Sequence, residues 1–362
     1  MLGTIALDLP PLPGNPRNSE GAMLRLRSGG ILLAYSRFTG ADAADDARAE
    51  IWAAISMDEG MHFGAPRCLF RPDPAEKNLM SVSLMRMANG DIGLFYLLRR
   101  DDADLRMVLR RSSDEGRSWS AAAMCMPAPG FYVVNNDRAV RLASGRIYIP
   151  AACHRRSVGE DGALHYDSRS EFVGFCSDDD GRTWRECEGK AVLAPMGCSR
   201  SGLQEPGVLE LRPGLLWGWA RTDLGRQYEC FSMDDGEHWT PAEPSRFTSP
   251  LSPLSARRLP DGRVLAVYNP VPLYNGRPER VGGVWTGGRT PLCIALSGAD
   301  GRSFSAPVAV EEDAGSGYCY TAILPVAGGV LLAYCAGGPG DGSCLARLRI
   351  RRISNRELEG IR

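Results

Sequence analysis

The octapeptide at 112–119, SSDEGRSW, has the form Ser-x-Asp-x-Gly-x-x-aromatic. The form returns at 56–63 (SMDEGMHF), 177–184 (SDDDGRTW) and 232–239 (SMDDGEHW), with a degenerate copy at 297–304 (SGADGRSF). The leading serines stand 56, 65, 55 and 65 residues apart. In such a turn the Asp accepts backbone N–H bonds, the Gly supplies a positive φ and the aromatic packs between sheets, so the copies read as structural punctuation. The copy at 177–184 also resembles the start of a calcium loop, but the downstream bidentate Glu is missing and no metal site is expected.

Between these turns a second signal recurs. Gly29, Gly90, Gly145, Gly214, Gly262 and Gly328 each precede an apolar run, at spacings of 61, 55, 69, 48 and 66 residues, so the unit is about 60 residues long. Each unit reads as strand, Gly turn, strand, loop, strand, Asp turn, strand, which is a four-stranded antiparallel meander. One such sheet cannot bury both of its faces. Six of them packed face to face around an axis do so and leave only short edges. The expected fold is therefore all-β, a six-bladed β-propeller of four-stranded antiparallel sheets. No linker or shift in composition divides 1–362 into more than one domain.

Composition narrows the function classes. The 362 residues are 44% hydrophobic and 23% charged, and 42 Lys and Arg nearly cancel 43 Asp and Glu for a net charge of -1. That is globular material with no long-range field for nucleic acid or an anionic membrane, and no basic stripe with interleaved aromatics is present. No run approaches the ~18 apolar residues of a membrane helix. The opening MLGTIALDLPPLPGNP lacks a signal-peptide pattern, so a cytoplasmic location is expected. The 11 cysteines form no C-x-x-C pair, and no cofactor is expected. Oligomeric state is left open.

In a propeller the first strand of each blade lines the axis, so residues at one offset before the turn glycines should share a pocket. Nine residues before them stand Glu20, Ser81, Asn136, Glu205, Pro253 and Cys319, with Tyr320 one step on. In FYVVNNDRAVRL (131–142), Asn135, Asn136 and Asp137 interrupt an apolar strand where unpaired burial is costly. They need a ligand, water or one another. Seven to nine residues after the glycines stand Arg37, Arg99, His154, Arg221 and Asn269. Arg37 and Arg221 end apolar strands at matching places, which suits a bidentate grip on a carboxylate. His154 reads either as a pocket residue or as a hydrogen-bonded structural imidazole.

These features together resemble the sialidase superfamily, six-bladed propellers whose turns are called Asp-boxes or BNR repeats, and the resemblance covers nearly the full chain. It implies an exo-acting glycoside hydrolase whose partner is a glycan or a small acidic sugar. Sialidases hold the substrate carboxylate with three arginines, use a Tyr nucleophile activated by a Glu, and use a loop Asp as acid/base. Residues 204–211 (QEPGVLEL), followed by Trp219-Ala220-Arg221, look like the stretch carrying that Glu, here Glu205, and one arginine, here Arg221. Residues 317–321 (GYCYT) look like the nucleophile stretch, with Tyr320 in the better register and Tyr318 as the fallback. Arg289 resembles another arginine of the set, and Asp46, in the loop after Arg37, stands where the acid/base is expected.

The chemistry explains these residue types. A phenol is neutral until Glu205 takes its proton, so it approaches an anomeric carbon beside a carboxylate without repulsion. The departure is in the first strand, where sialidases carry Arg-Ile-Pro and this chain has Asn18-Ser19-Glu20-Gly21-Ala22. Glu20 opposes an anionic sugar by like charge. With Asn136, Asp137 and His154 as further expected pocket residues, two other readings stay open. One is a uronate-directed or neutral-sugar glycosidase or lyase; the other is a carbohydrate-binding propeller without catalysis.

Overall fold

The turns take the shape their residues demand. In 112–119 the Ser112 hydroxyl donates to Asp114 Oδ1 (2.8 Å) and accepts from the Gly116 N–H (2.7 Å), while Asp114 Oδ1 also accepts from the N–H groups of Arg117 and Ser118 (3.1 and 2.9 Å). Ser56 with Asp58, Ser177 with Asp179, and Ser232 with Asp234 repeat the pattern. At 177–184 the Asp179 carboxylate is thus taken up by donors within its own turn, to which Arg182 N–H and Thr183 Oγ1 add. The residue before each glycine, Glu59, Glu115, Asp180 or Asp235, is left-handed, with φ of 59°, 59°, 64° and 57°. The computed structural model describes residues 1–160, 162–298, 301 and 303–361, so Ala299, Asp300 and Arg302 of the fifth copy lie outside the described residues.

The architecture is all-β. Its described helices are the 3-10 turn Leu273–Asn275 and the short α-helix Asn355–Glu359, and no helix among the described residues is long and apolar enough to cross a membrane. Four-stranded antiparallel sheets form from Asn18–Arg25, Ile31–Phe38, Ala49–Ser56 and Arg67–Phe70; from Gln204–Arg212, Leu215–Arg221, Arg226–Ser232 and Glu243–Thr248; and from Ser255–Arg258, Val264–Tyr268, Leu292–Leu296 and Val308–Glu311. A further sheet joins Cys319–Val326, Gly329–Cys335 and Leu348–Ser354 to the N-terminal strand Thr4–Leu9. The last sheet is therefore completed by the start of the chain.

Residues 78–186 differ from the expected separate sheets, because they make one nine-stranded sheet. Asn78–Arg86, Ile92–Arg99, Leu105–Ser112 and Ala123–Met124 form one meander; Phe131–Val133 with Val140–Arg141, then Ile147–His154, Glu171–Ser177 and Arg185–Glu186 form another. A single parallel pairing, Phe131 with Leu105, links the two. The strand of the second meander is broken in two because the Asn135 side chain accepts from the Asn136 N–H (2.7 Å) and Asp137 turns left-handed, which takes 134–139 out of the ladder.

Burial follows the apolar runs. Ile31–Phe38, Ile92–Arg99 and Gly329–Cys335 are almost wholly buried along their length, which marks strands covered on both faces. Their neighbours supply the cover: Phe95, Leu97 and Leu109 of one meander pack with Ile147, Ile149 and Phe175 of the next. The leading strands also touch one another. Asn18–Arg25 packs on both Asn78–Arg86 and Cys319–Val326; Gln204–Arg212 packs on Ile147–His154 and Ser255–Arg258; and Ser255–Arg258 packs on Cys319–Val326.

Candidate active site

Four leading strands carry the same irregularity. The pairing register shifts between Ser19 and Ala22, Met80 and Ser83, Gln204 and Gly207, and Cys319 and Ala322. At each shift one residue other than glycine is left-handed: Glu20, Ser81, Glu205 and Tyr320, with φ of 54°, 55°, 45° and 58°. Asp137, at 57°, is the fifth of the kind. Such a bulge re-aims a side chain, at a backbone cost of about 1–3 kcal/mol for each residue held there. Glu20, Ser81 and Glu205 precede the left-handed turn glycines Gly29, Gly90 and Gly214 by nine residues each, whereas Tyr320 precedes the turn glycine Gly328 by eight. The turn of the last sheet is Ala327-Gly328, with Gly329 opening the following strand, so Cys319 stands nine residues before the turn glycine and it is the next residue, Tyr320, that takes the positive φ. Pro253 cannot take a positive φ, so its strand lacks the device.

Glu20, Ser81, Glu205 and Tyr320 all face one cavity of about 390 Å³. The Tyr320 hydroxyl donates to Glu205 Oε1 at 3.0 Å. Arg221 Nη1 sits 3.0 Å from Glu205 Oε2 and 3.3 Å from the Tyr320 hydroxyl, while its Nε donates to Gln204 Oε1 (3.2 Å). All three groups are buried or nearly so. Burial, and then the Glu205 charge, push the Tyr320 phenol well above the usual tyrosine range, with Arg221 and Arg289 opposing. Arg289 lies behind the ring, its guanidinium 5.4 Å from the Tyr320 centroid, donating to Cys319 Sγ (3.0 Å) and the Leu251 carbonyl (3.1 Å). The fallback Tyr318 is buried in another cluster and does not line the cavity.

Several expected residues stand elsewhere. Arg37 does not reach the cavity, because strand alternation turns Ser36 inward, where its hydroxyl accepts from the Ser81 N–H (3.0 Å), and leaves the Arg37 guanidinium stacked 4.0 Å over Trp52. Asp46 is exposed, and its neighbour Asp45 lines the cavity instead, held by Arg17 Nη1 at 2.6 Å. Asn136 and Asp137 serve the framework. Asn136 Nδ2 donates to the carbonyls of Gly21 (2.6 Å) and Tyr320 (3.0 Å), tying two leading strands together. Asp137 Oδ2 takes Arg257 Nη2 (2.6 Å) and the Ile323 N–H (3.1 Å). Asn135 is the member of that cluster that lines the cavity.

Arg17 is the residue the sequence reading missed. It is 2% exposed and immediately precedes the first leading strand. Its Nε donates to Ser19 Oγ (2.9 Å), its Nη2 lies 3.6 Å from Glu20, and its guanidinium lies 4.3 Å over Phe38. An arginine therefore stands behind this wall, against the lining carboxylates Glu20 and Asp45 and three residues before the former. A leading strand begun one residue earlier would have included it. Burial raises the Glu20 carboxyl to about 7, reinforced by Asp45 and Glu205 and opposed by Arg17. Around Asp45 the enclosing protein also pushes upward, but Arg17, with Arg221 and Arg289, outweighs it and holds that carboxyl below the usual range.

His154 lines the cavity as expected. Its Nδ1 lies 3.1 Å from the Asp167 carbonyl, which can only accept, so Nδ1 carries the proton and Nε2 is a free acceptor. Burial lowers its pKa to about 4, so the ring is neutral near pH 7. It stacks on Tyr166 at 4.8 Å. Among the described residues one group, Cys176, Cys187 and Glu237, brings metal-ligating atoms within 4.8 Å of one another; it lies outside this cavity, and Glu237 is already ion-paired with Arg146 and Arg185.

Comparison with known proteins gives three kinds of likeness. A family model described as a BNR repeat-like domain matches residues 65–332. Human sialidase-4 is 32% identical over 147 residues, 38% of this chain and 29% of that protein, so the match spans less than a third of that relative. Among solved structures, the NanB sialidase of Streptococcus pneumoniae superposes with a TM-score of 0.70 at 12% identity, covering 99% of this chain and 71% of that one. A Dyadobacter fermentans protein of unknown function gives 0.70 at 19%, over 97% and 99%. The leech intramolecular trans-sialidase gives 0.68 at 16%, over 99% and 71%. At these identities the structural likeness is one of fold.

Proposed function

The chain belongs to the BNR repeat-like family within the sialidase superfamily, and from that premise we propose that it is an exo-acting glycoside hydrolase removing a terminal acidic sugar from a glycan. The observation that carries this reading is the Tyr320 hydroxyl donating to Glu205 at 3.0 Å, with Arg221 bridging both. A phenol, a base within hydrogen-bond reach and a cation to steady the phenolate are what nucleophilic catalysis asks for. We read the fold as a six-bladed propeller spanning 1–362, the nine-stranded sheet being two blades joined at one pairing. Contacts between successive leading strands support it.

In this mechanism Glu205 takes the phenol proton, Tyr320 Oη bonds to the anomeric carbon, and the bond from that carbon to the leaving oxygen breaks. The leaving oxygen needs a proton at that moment. Of the pocket carboxyls, Glu20, raised to about 7, still holds one near neutrality, whereas Asp45 is held ionised. Water then attacks the same carbon, gives its proton to Glu20, and frees the phenolate, which recovers its proton from Glu205. An acidic sugar is favoured because the fields of Arg17, Arg221 and Arg289 overlap at the Asp45 carboxylate. That carboxylate lines the cavity, held by Arg17 Nη1 at 2.6 Å, and stands in for a substrate carboxylate.

The test is turnover of a fluorogenic sialoside by the wild type and by Tyr320→Phe. Loss on the order of 10³-fold or more in the variant is expected; equal turnover overturns the nucleophile. A second reading, β-elimination at a uronate, has one observation in its favour, the neutral His154 with Nε2 free to accept a proton. An unsaturated uronate among the products selects it.

A further inference from the structure

Part of the pocket wall has no role in the mechanism above. The hairpin Arg156–Val158 and Leu164–Tyr166 lies in the connection from Ile147–His154 to its partner Glu171–Ser177 and brings Arg156 and Tyr166 together as cross-strand partners. The Arg156 guanidinium lies 4.2 Å from the Phe131 ring and 4.3 Å from that of Tyr166, and Arg99 lies 5.5 Å from the same Phe131 ring. Two cations therefore flank one aromatic, and all of these residues line the cavity.

Their hydrogen-bonding is incomplete. Arg99 Nη2 is held by Asp102 (2.8 Å), but the Nε atoms of Arg99 and Arg156 are both buried without a partner. Among the described residues no carboxylate lies within ion-pair distance of Arg156. A cation against aromatic faces, with Leu97 and Leu105 as apolar neighbours, gains most from an incoming oxyanion, because the local dielectric is low and the fork matches two oxygens.

We propose that Arg156 and Arg99 form a second anion subsite, which takes a carboxylate or an O-sulfate carried by the substrate away from its reacting carbon. The substrate class is then a glycan with two negative groups. This rests on the saccharide-hydrolase reading above, and the experiment separates the two.

Galacturonate, galactose 6-sulfate and galactose are titrated calorimetrically into the full chain, its Arg156→Gln variant and its Arg156→Lys variant, beside the sialoside assay. Arg156→Gln is expected to weaken one or both anions about 10- to 100-fold relative to wild type, as loss of a charge-assisted bond requires, with neutral galactose unchanged. Arg156→Lys retains part of the affinity. Dependence for the sulfate alone identifies an O-sulfate, for the uronate alone a carboxylate, and either supports the subsite. An unchanged melting temperature in Arg156→Gln separates lost binding from lost fold. Equal anion binding by wild type and Arg156→Gln overturns the proposal even if the sialoside is cleaved. Arg156-dependent binding without turnover of any glycoside sinks the hydrolase and leaves the anion subsite standing.

Discussion

Glu20 makes a sharp demand at the scale of a single residue. Its carboxyl titrates near 7 in the folded chain against about 4.5 when unfolded, so the folded state holds the proton longer. Stability from this group is therefore greatest below about pH 4.5, falls as pH rises toward 7, and is level above. Glu20→Gln, which cannot ionise, is expected to melt higher than wild type at pH 8 and closer to it at pH 4.5, read by thermal denaturation. If Glu20 also supplies the proton, the same variant loses about 10²–10⁴-fold on an alkyl glycoside but far less on a phenolic one, whose leaving oxygen needs little help. Equal losses on both substrates remove Glu20 from the donor role. At this scale the sequence was legible in part: Glu20, Ser81, Glu205, Arg99, Arg221 and His154, placed by the repeat, and Tyr320, one step on from it, line the cavity, whereas Asn136, at the same offset, is spent on tying two strands together. It was not legible where strand alternation or a loop decides, because one step along an extended chain reverses a side chain. That is why Arg37 faces Trp52 and Asp45 replaces Asp46.

Among the elements, the Asp turns hold neighbouring strand groups in place as well as closing their own hairpins. The left-handed residue before the glycine reaches across: Glu115 accepts from the Arg27 N–H (2.7 Å) of the preceding sheet, and Asp180 accepts from the Ala88 N–H (3.0 Å) and pairs with Arg111 (3.4 Å) of the preceding meander. The Ser hydroxyl beneath is buried, so Ser112→Ala leaves the Gly116 N–H without its acceptor and is expected to lower unfolding free energy by about 1–3 kcal/mol. The turn does not line the cavity, so kcat of the folded fraction stays as in wild type. A shift in the urea midpoint with unchanged turnover checks this; an unshifted midpoint refutes it. The motif spelled out these turns in advance, since its Ser and Asp side chains bond within the same eight residues. The cross-links did not show, because they depend on which strand group lies next door.

For the molecule as a whole, the pairing of Thr4–Leu9 with Leu348–Ser354 ties the two ends of the chain together, and Asp8 bonds to Arg347 and Arg349 while the Gly3 N–H donates to Glu357 (2.7 Å). Removing residues 1–9 opens the edge of Leu348–Ser354, so a lower melting temperature and self-association are expected. A peptide of residues 1–9 added back raises the melting temperature again; an unaltered truncated protein disproves the point. The repeat count anticipated strand groups but not this closure, because a lone strand at the start has no sequence partner until the end is read. The leading strands meanwhile present one backbone kink in four places and fill it with a carboxylate, a hydroxyl, a second carboxylate and a phenol. The kink is a socket indifferent to what it holds, so a single codon change at Ser81 installs a new functional group facing the cavity with no change of scaffold. An altered pocket is thereby one substitution away on a backbone already bent to receive it, with stability changed only as far as the new group's ionisation and burial dictate, as at Glu20.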